Sequence, residues 1–163
     1  MARGMGGDSK SYAAAEVELI AAANTKLGAR MKPQKLALSD GAATVQVDGI
    51  DTAHDPPVIA EAFAGQGEVK AGQNRKLATD ILKLVLLLSD RAEGYEAYLV
   101  HANPLVAKHL ARASWLKAAM ERFNIKELQV ELSVATNAAI KSAHHAESRF
   151  RGGRPVDELG PSA

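Results

Sequence analysis

The sequence predicts an α/β fold in which helices flank both faces of a mixed central sheet. Three strand-like segments, 35–38, 44–50 and 58–64, follow one another with only turns between them. An amphipathic segment, 72–89, then leads to a fourth strand at 95–101. A meander of three strands, followed by a crossover helix and a further strand, places antiparallel and parallel neighbours in one sheet.

A helix is predicted to precede the strands. It runs from Tyr12 to Leu27, with Ser9 or Ser11 as its N-cap and Gly28 as its stop. Its apolar residues fall near helical spacing: Ala13, Val17, Ile20, Ala21 and Leu27.

The first two strands form a predicted hairpin through the turn at 39–41. Along the second strand, 44–50, valines alternate with polar residues up to Asp48, which is typical of a half-buried strand with a polar end. Two prolines and several turn formers exclude regular structure at 51–57. The mostly apolar segment 58–64 is therefore predicted to be a separate, central strand.

The helix at 72–89 has an apolar and a polar face. The apolar stripe consists of Leu77, Ile81, Leu84, Val85 and Leu88. The polar face consists of Gln73, Lys76, Asp80 and Lys83.

Beyond the fourth strand the pattern is helical again. Pro104 is expected to begin a helix that continues to about Phe123. Residues 128–132 form either a last strand or the start of the final helix, which is predicted for 133–150.

Composition limits the class of protein. The chain has 163 residues, of which 47% are hydrophobic and 24% charged, as in one ordinary globular domain. That domain is predicted for 8–150, between flexible tails at 1–7 and 151–163. A net charge of +1 gives no global basic field, so a nucleic-acid surface would be a local patch. The lack of cysteine excludes disulfide, thiol and thiolate-zinc chemistry.

The chain is expected to be soluble and cytoplasmic, without a membrane partner. Its N-terminus has no apolar segment like that of a signal peptide. The most apolar run, 82–88, contains Lys83 and is too short to cross a bilayer.

Two carboxylates carry the functional interpretation. Asp48 ends the second predicted strand, and Glu61 lies within the apolar third strand, thirteen positions later. A charge inside an apolar strand is costly unless a partner satisfies it. Two acids on neighbouring strands can share a divalent cation, so the sequence predicts a metal site here.

This arrangement resembles the PD-(D/E)XK nuclease superfamily, which has the restriction-endonuclease-like fold with an αβββαβ core. The residues that carry the resemblance lie within about 9–102 and are Glu16, Asp48, Glu61, Gln73 and Lys76. The resemblance implies that the acids hold Mg²⁺ or Mn²⁺ while a lysine helps to activate water. The family's lysine stands two residues after the glutamate, where this chain has Phe63.

The resemblance also implies a substitute for that amine. Lys76 is the first candidate, since some members of the superfamily place a lysine on the helix after the third strand, and Lys70 is the second. Gln73 shares a helix face with Lys76 and is expected to orient water or phosphate. The expected catalytic residues are therefore Asp48, Glu61, Lys76 and Gln73, and the expected metal ligands are Asp48, Glu61 and Glu16.

Each of these residues also has a structural interpretation. Asp48 before Gly49 is typical of a strand-end turn, and Asp51 is an alternative acid. Glu61 can form an ion pair with Lys35 or Lys76. The polar helix face and Glu16 are also consistent with ordinary solvated surface.

The activity implied by the resemblance is metal-dependent hydrolysis of DNA. So small a chain has little room for a recognition domain, so a homodimer or a protein partner is expected to supply specificity. The alternative is a catalytically inactive module on the same fold that binds nucleic acid or protein.

Other candidate groups are less specific. The histidines at 101, 109, 144 and 145 lack the spacing of a zinc motif. Basic clusters at 26–35 and 149–154 are consistent with phosphate contacts and equally with solubility.

Overall fold

The computed structural model describes residues 6–91 and 94–152, with side chains described within 9–91 and 94–146. The elements in these ranges are α1 (Gly6–Leu27), β1 (Lys32–Ala37), β2 (Thr44–Asp51), β3 (Val58–Phe63), α2 (Ala71–Asp90), β4 (Glu96–His101), α3 (Pro104–Leu110), α4 (Trp115–Arg122), β5 (Ile125–Gln129) and α5 (Val134–Gly152). The predicted α/β class and the order of its first six elements are confirmed.

These strands form one five-stranded sheet in the order β1-β2-β3-β4-β5. β1 pairs antiparallel with β2, and β2 with β3, whereas β3, β4 and β5 are parallel to one another. Each parallel pair needs a crossover connection, which α2 supplies for the first pair and α3 with α4 for the second. The predicted mixed sheet is therefore confirmed.

Helices cover both faces of the sheet. On one face, α2, α3 and α4 pack over residues such as Ile59 and Leu99. On the other face, α1 and α5 pack over residues such as Val58 and Ala60. Successive residues of β3 thus face opposite sides, and the whole strand is buried, as predicted for a central strand.

The segment between β4 and α5 differs from the prediction in two places. The helix expected at 104–123 is two helices, because Ser114 caps a new one by accepting a hydrogen bond from the Lys117 N–H at 3.2 Å. Asn124 then turns the chain with a φ of 51°, so the last strand begins at Ile125 rather than at 128. The structure thus has one helix more than predicted between β4 and β5, whereas residues 128 and 129, left open between strand and helix, belong to a strand.

The terminal helices are longer than predicted. α1 begins at Gly6 and α5 ends at Gly152, so each extends two residues into a predicted tail. The rest of the two tails, 1–5 and 153–163, lies outside the described residues. Within the described part of the chain, every helix is too short or too polar to cross a lipid bilayer.

Candidate active site

Glu61 is fully buried, with 0% of its surface exposed. Strand alternation directs it toward α2, on the same face as Ile59 and Phe63. Lys83 of α2 donates a hydrogen bond to its Oε2 at 2.5 Å. The other oxygen, Oε1, is buried and lacks a hydrogen-bond partner among the described residues. Buried polar atoms are normally satisfied, and a bound cation or water would satisfy this one.

Asp48 reaches the same region through an irregularity in β2. Between Val47 and Ile50, β2 has one residue more than the facing segment of β1. This β-bulge lets Val47 and Ile50 both join the core on the α2 side and releases Asp48 from regular pairing. The ladder between β2 and β3 stops at Gly49, and Asp48 Oδ2 instead accepts the Ala62 N–H at 2.8 Å.

A second set of charges lies on α1 and α2. Lys76 Nζ is 2.9 and 3.0 Å from the two carboxylate oxygens of Asp80, and 3.6 Å from Glu16 Oε1. Asp80 is 1% exposed, whereas the side chain of Lys76 is 46% exposed. Together the two sets form an acid cluster, in which two lysines face four carboxylates: Lys76 and Lys83 against Glu16, Asp48, Glu61 and Asp80.

Electrostatic coupling joins these carboxylates into one cluster. Burial raises the pKa of Glu61 to about 8, with a further upward contribution from the charge of Asp48, although the paired lysine opposes both effects. Burial also raises the pKa of Asp80 and the pKa of Glu16, and Asp48 again adds to each shift. Asp48 therefore couples the other three acids, and the excess of negative charge favours uptake of a proton or a cation.

The amine that contacts Glu61 is Lys83, whereas the structure places Lys76 against Glu16 and Asp80. From the sequence, Lys83 and Asp80 were expected only to belong to the polar face of this helix. Lys83 nevertheless interrupts the most apolar run of the chain, where a charge needs a partner just as Glu61 does. Lys83 and Glu61 each lie within an apolar segment, and this was the indication in the sequence that the two residues pair.

Gln73 lies toward the N-terminal end of α2. Its Nε2 donates to the carbonyl oxygen of Gln66 at 2.8 Å, and its Oε1 is buried with no partner in the described chain. Phe63 is 2% exposed and belongs to the core on the α2 side. A Cβ at Gly65 would lie 2.4 Å from its ring, so the glycine makes room for the phenylalanine.

Asp51, the alternative acid, is committed to the main chain. It accepts hydrogen bonds from the N–H groups of Arg30, Ala53 and His54 at 2.7, 3.0 and 3.1 Å. The bond from Arg30 is the largest cause of its lowered pKa. Lys35, one of the partners considered for Glu61, is exposed on β1.

No three His, Asp or Glu side chains in the described ranges stand close enough together to hold a metal ion. Lys76 and Lys83 instead hydrogen-bond two carboxylates of the acid cluster, Asp80 and Glu61. The donor set itself suits a hard cation, since carboxylate oxygens with several waters are typical of Mg²⁺ sites. The unpaired Oε1 of Glu61 beside Asp48 is the part of the cluster that fits such an ion.

The histidines lie outside the acid cluster, although His144 and Glu16 line one cavity. His101 Nε2 is 2.7 Å from Glu127 Oε1, and the rings of His144 and His145 are 6.4 Å apart. Of the basic clusters, 149–154 lies outside the residues whose side chains are described.

No protein-family model matches the chain, and neither the curated proteins nor the solved structures with which it was compared give a match. The site is therefore interpreted from its own geometry.

Proposed function

We propose that the chain is a metal-dependent deoxyribonuclease and that its acid cluster is the active site for phosphodiester hydrolysis. The observation that carries the proposal is the buried Glu61, which has an unpartnered oxygen and a pKa raised to about 8 beside Asp48. Carboxylates with strongly shifted pKa values cluster at functional sites. A divalent cation would satisfy the unpaired oxygen and offset the excess negative charge.

The resemblance to the PD-(D/E)XK superfamily supports the same proposal. Its two acids correspond to Asp48 and Glu61, which lie on neighbouring strands and are electrostatically coupled. These two would bind Mg²⁺ or Mn²⁺, with Glu16 as a third, outer carboxylate. A bound cation supplies polarisation of the scissile phosphate and a more acidic water.

The chain's own cations and amide have separate roles in this proposal. Lys83 holds Glu61 in place and provides the amine near the metal-binding oxygens. Lys76, which is partly exposed, would contact a substrate phosphate and stabilise the negative charge that develops on it. Gln73 would orient the substrate from the first turns of α2. A homodimer or a protein partner would supply specificity for DNA.

A second candidate function is a catalytically inactive module that binds nucleic acid or protein. The observation that favours it is the pairing of both lysines with carboxylates, which balances part of the cluster without a metal. Under this alternative Phe63 is simply a core residue where the nuclease family has its lysine.

Cleavage of linear single-stranded DNA and of plasmid DNA, with Mg²⁺, Mn²⁺ or EDTA at pH 8.5, tests the first proposal. We expect metal-dependent cleavage that falls by about 10²-fold or more in Asp48→Asn, Glu61→Gln and Lys83→Met. Glu131→Gln and Lys35→Met change exposed residues away from the cluster and serve as matched controls.

Calorimetry with Mn²⁺ provides a second measurement. Because Glu61 must lose its proton to bind a cation, the affinity should increase with pH up to about pH 8. Glu61→Gln should remove this increase. If the folded wild-type protein neither cleaves DNA nor binds Mn²⁺, the nuclease proposal is contradicted and the binding module is favoured.

A further inference from the structure

A cavity of about 370 Å³ borders the acid cluster, between α1, the end of β3 and the start of α2. Glu16 and Lys76 line it and connect it to the cluster. Phe63 and Ala64 form an apolar wall, and Lys70 adds a positive charge. Small-molecule sites begin at about 300 Å³, so the cavity has room for a ligand the size of one nucleotide.

We propose that this cavity binds the terminal nucleotide of a DNA strand, so that the enzyme acts on single-stranded or frayed ends. This inference rests on the proposed nuclease function and names its substrate class. A double helix is too wide to enter a cavity of this size, whereas one unpaired nucleotide fits into it.

The charged part of the cavity lining suits a phosphate group. Lys70 and Lys76 line the cavity, and Lys70 is also the N-cap of α2. No side chain in the described range caps this helix, and the first N–H that is satisfied within it is that of Asn74, bonded to the Lys70 carbonyl. The three preceding N–H groups are therefore left for an anion. Gly72 keeps the backbone accessible, because no atom lies within 4 Å of the position of an added Cβ.

The unpaired oxygen of Gln73 is a separate indication of a ligand. Its Oε1 is buried and accepts no hydrogen bond in the described chain, although its amide nitrogen is fixed by Gln66. A ligand that reaches this oxygen would have to offer a donor, as a base N–H or a sugar hydroxyl does. The apolar wall of Phe63 and Ala64 suits the face of a base. A nucleotide is a ligand that combines an anion, a hydrogen-bond donor and a flat apolar surface.

A second cavity of about 370 Å³ continues from the first across Glu16. Asp48 lines it together with apolar residues of α1 and β1, including Val17 and Pro33. Glu16 thus lies between the two cavities, and Asp48 borders the second of them. A strand with its last nucleotide in the first cavity would bring its next phosphodiester bond to the carboxylates.

An NMR titration of the ¹⁵N-labelled protein with deoxyadenosine monophosphate in EDTA tests the cavity separately from the metal. We expect the N–H signals of Gly65 and Gly72 to shift, since both residues line the cavity. Gly41, in the turn between β1 and β2, should not shift. Deoxyadenosine without phosphate should bind more weakly, because it does not engage the lysines.

Two variants sharpen this titration. Lys70→Met and Gln73→Leu should each weaken binding about tenfold, the loss expected for one charge-assisted or buried hydrogen bond. Lys35→Met is the matched control, and Glu61→Gln should abolish cleavage while it leaves nucleotide binding intact. Absence of binding, or equal binding by both variants and the control, would overturn the cavity assignment.

The cleavage assay then separates the two proposals. Linear single strands should be degraded, whereas closed single-stranded circles and plasmid should not, because they present no end. Cleavage of circles at the same rate would overturn the inference but keep the nuclease. Nucleotide binding without any cleavage would contradict the nuclease and with it the assignment of the ligand as a substrate end.

Discussion

The acidic residues at the two ends of the ladder between β2 and β3 have opposite environments. At one end, Asp51 accepts three main-chain N–H groups and its pKa is lowered. At the other end, burial and the charge of Asp48 raise the pKa of Glu61 to about 8. An acid with several N–H partners remains charged and stabilises a turn. A buried acid with an unpaired oxygen gains from binding a proton or a cation.

The backbone produces this difference. Asp51 lies opposite Val58 in regular antiparallel pairing, and its side chain turns back onto the loop that follows it. Asp48 lies at the β-bulge, where the ladder to β3 has ended. Bulges are frequent beside active sites because they redirect a side chain. The contrast therefore separates Asp51, which is committed to a turn, from Asp48, which belongs to the acid cluster.

The largest expected effect is a loss of stability when the ion pair between Lys83 and Glu61 is broken. Lys83→Met leaves the ionised Glu61 buried without its positive partner at pH 9, and we expect the free energy of unfolding to fall there by roughly 2–3 kcal/mol. The figure lies below the range for a fully buried pair because the Lys83 side chain is 28% exposed. Urea denaturation measures it.

A double variant serves as the control for this measurement. Glu61→Gln combined with Lys83→Met removes the uncompensated charge and should recover part of the lost stability. A loss below about 0.5 kcal/mol in the single variant, as for an ordinary surface pair, would show that Lys83 does not balance Glu61.

The pH dependence of stability should show a smaller effect of the same origin. Because the folded pKa of Glu61 lies near 8, above its ordinary value of 4.5, the folded state holds an extra proton between these values. Its contribution is thus fully present below about pH 4.5 and is lost as the pH rises through 8. We expect a decline in stability from pH 5 to pH 8, which Glu61→Gln should flatten. A wild-type curve parallel to that of Glu61→Gln would contradict the raised pKa.

The sequence predicted the fold because its alternating and helical patterns were unambiguous in the first six elements. The prediction was less complete at the site, because Asp48 was expected to lie on a regular strand. Strict alternation would place Ile50 on the face of Asp48, yet Ile50 joins Val45 and Val47 in the core. Gly49, a glycine within a strand, was the indication of a bulge that could have corrected this.

Long-range pairing limited the rest of the site prediction. Spacing along α2 shows that Lys76, Asp80 and Lys83 share a face, but not which of them lies over Glu61. That depends on how α2 is positioned across the sheet, which is set by packing of Leu77, Ile81 and Leu84. The resemblance and the shared helix face with Gln73 therefore favoured Lys76, and Lys83, two turns later, was given no role.

The smallest expected effect belongs to Asp51, and it has the opposite dependence on pH. Asp51→Ala removes the acceptor of three N–H groups at an exposed turn, so we expect a modest decrease in melting temperature at pH 7. Because the folded pKa of Asp51 is lowered, its contribution is present above its ordinary value of 3.8 and is lost as the pH falls through the folded value. The melting curves of variant and wild type should therefore converge at acid pH, whereas the wild type should become less stable than Glu61→Gln as the pH rises through 8. If the difference in stability between Asp51→Ala and wild type instead increased toward low pH, the folded state would favour the protonated form of Asp51. The contrast between the two ends would then fail.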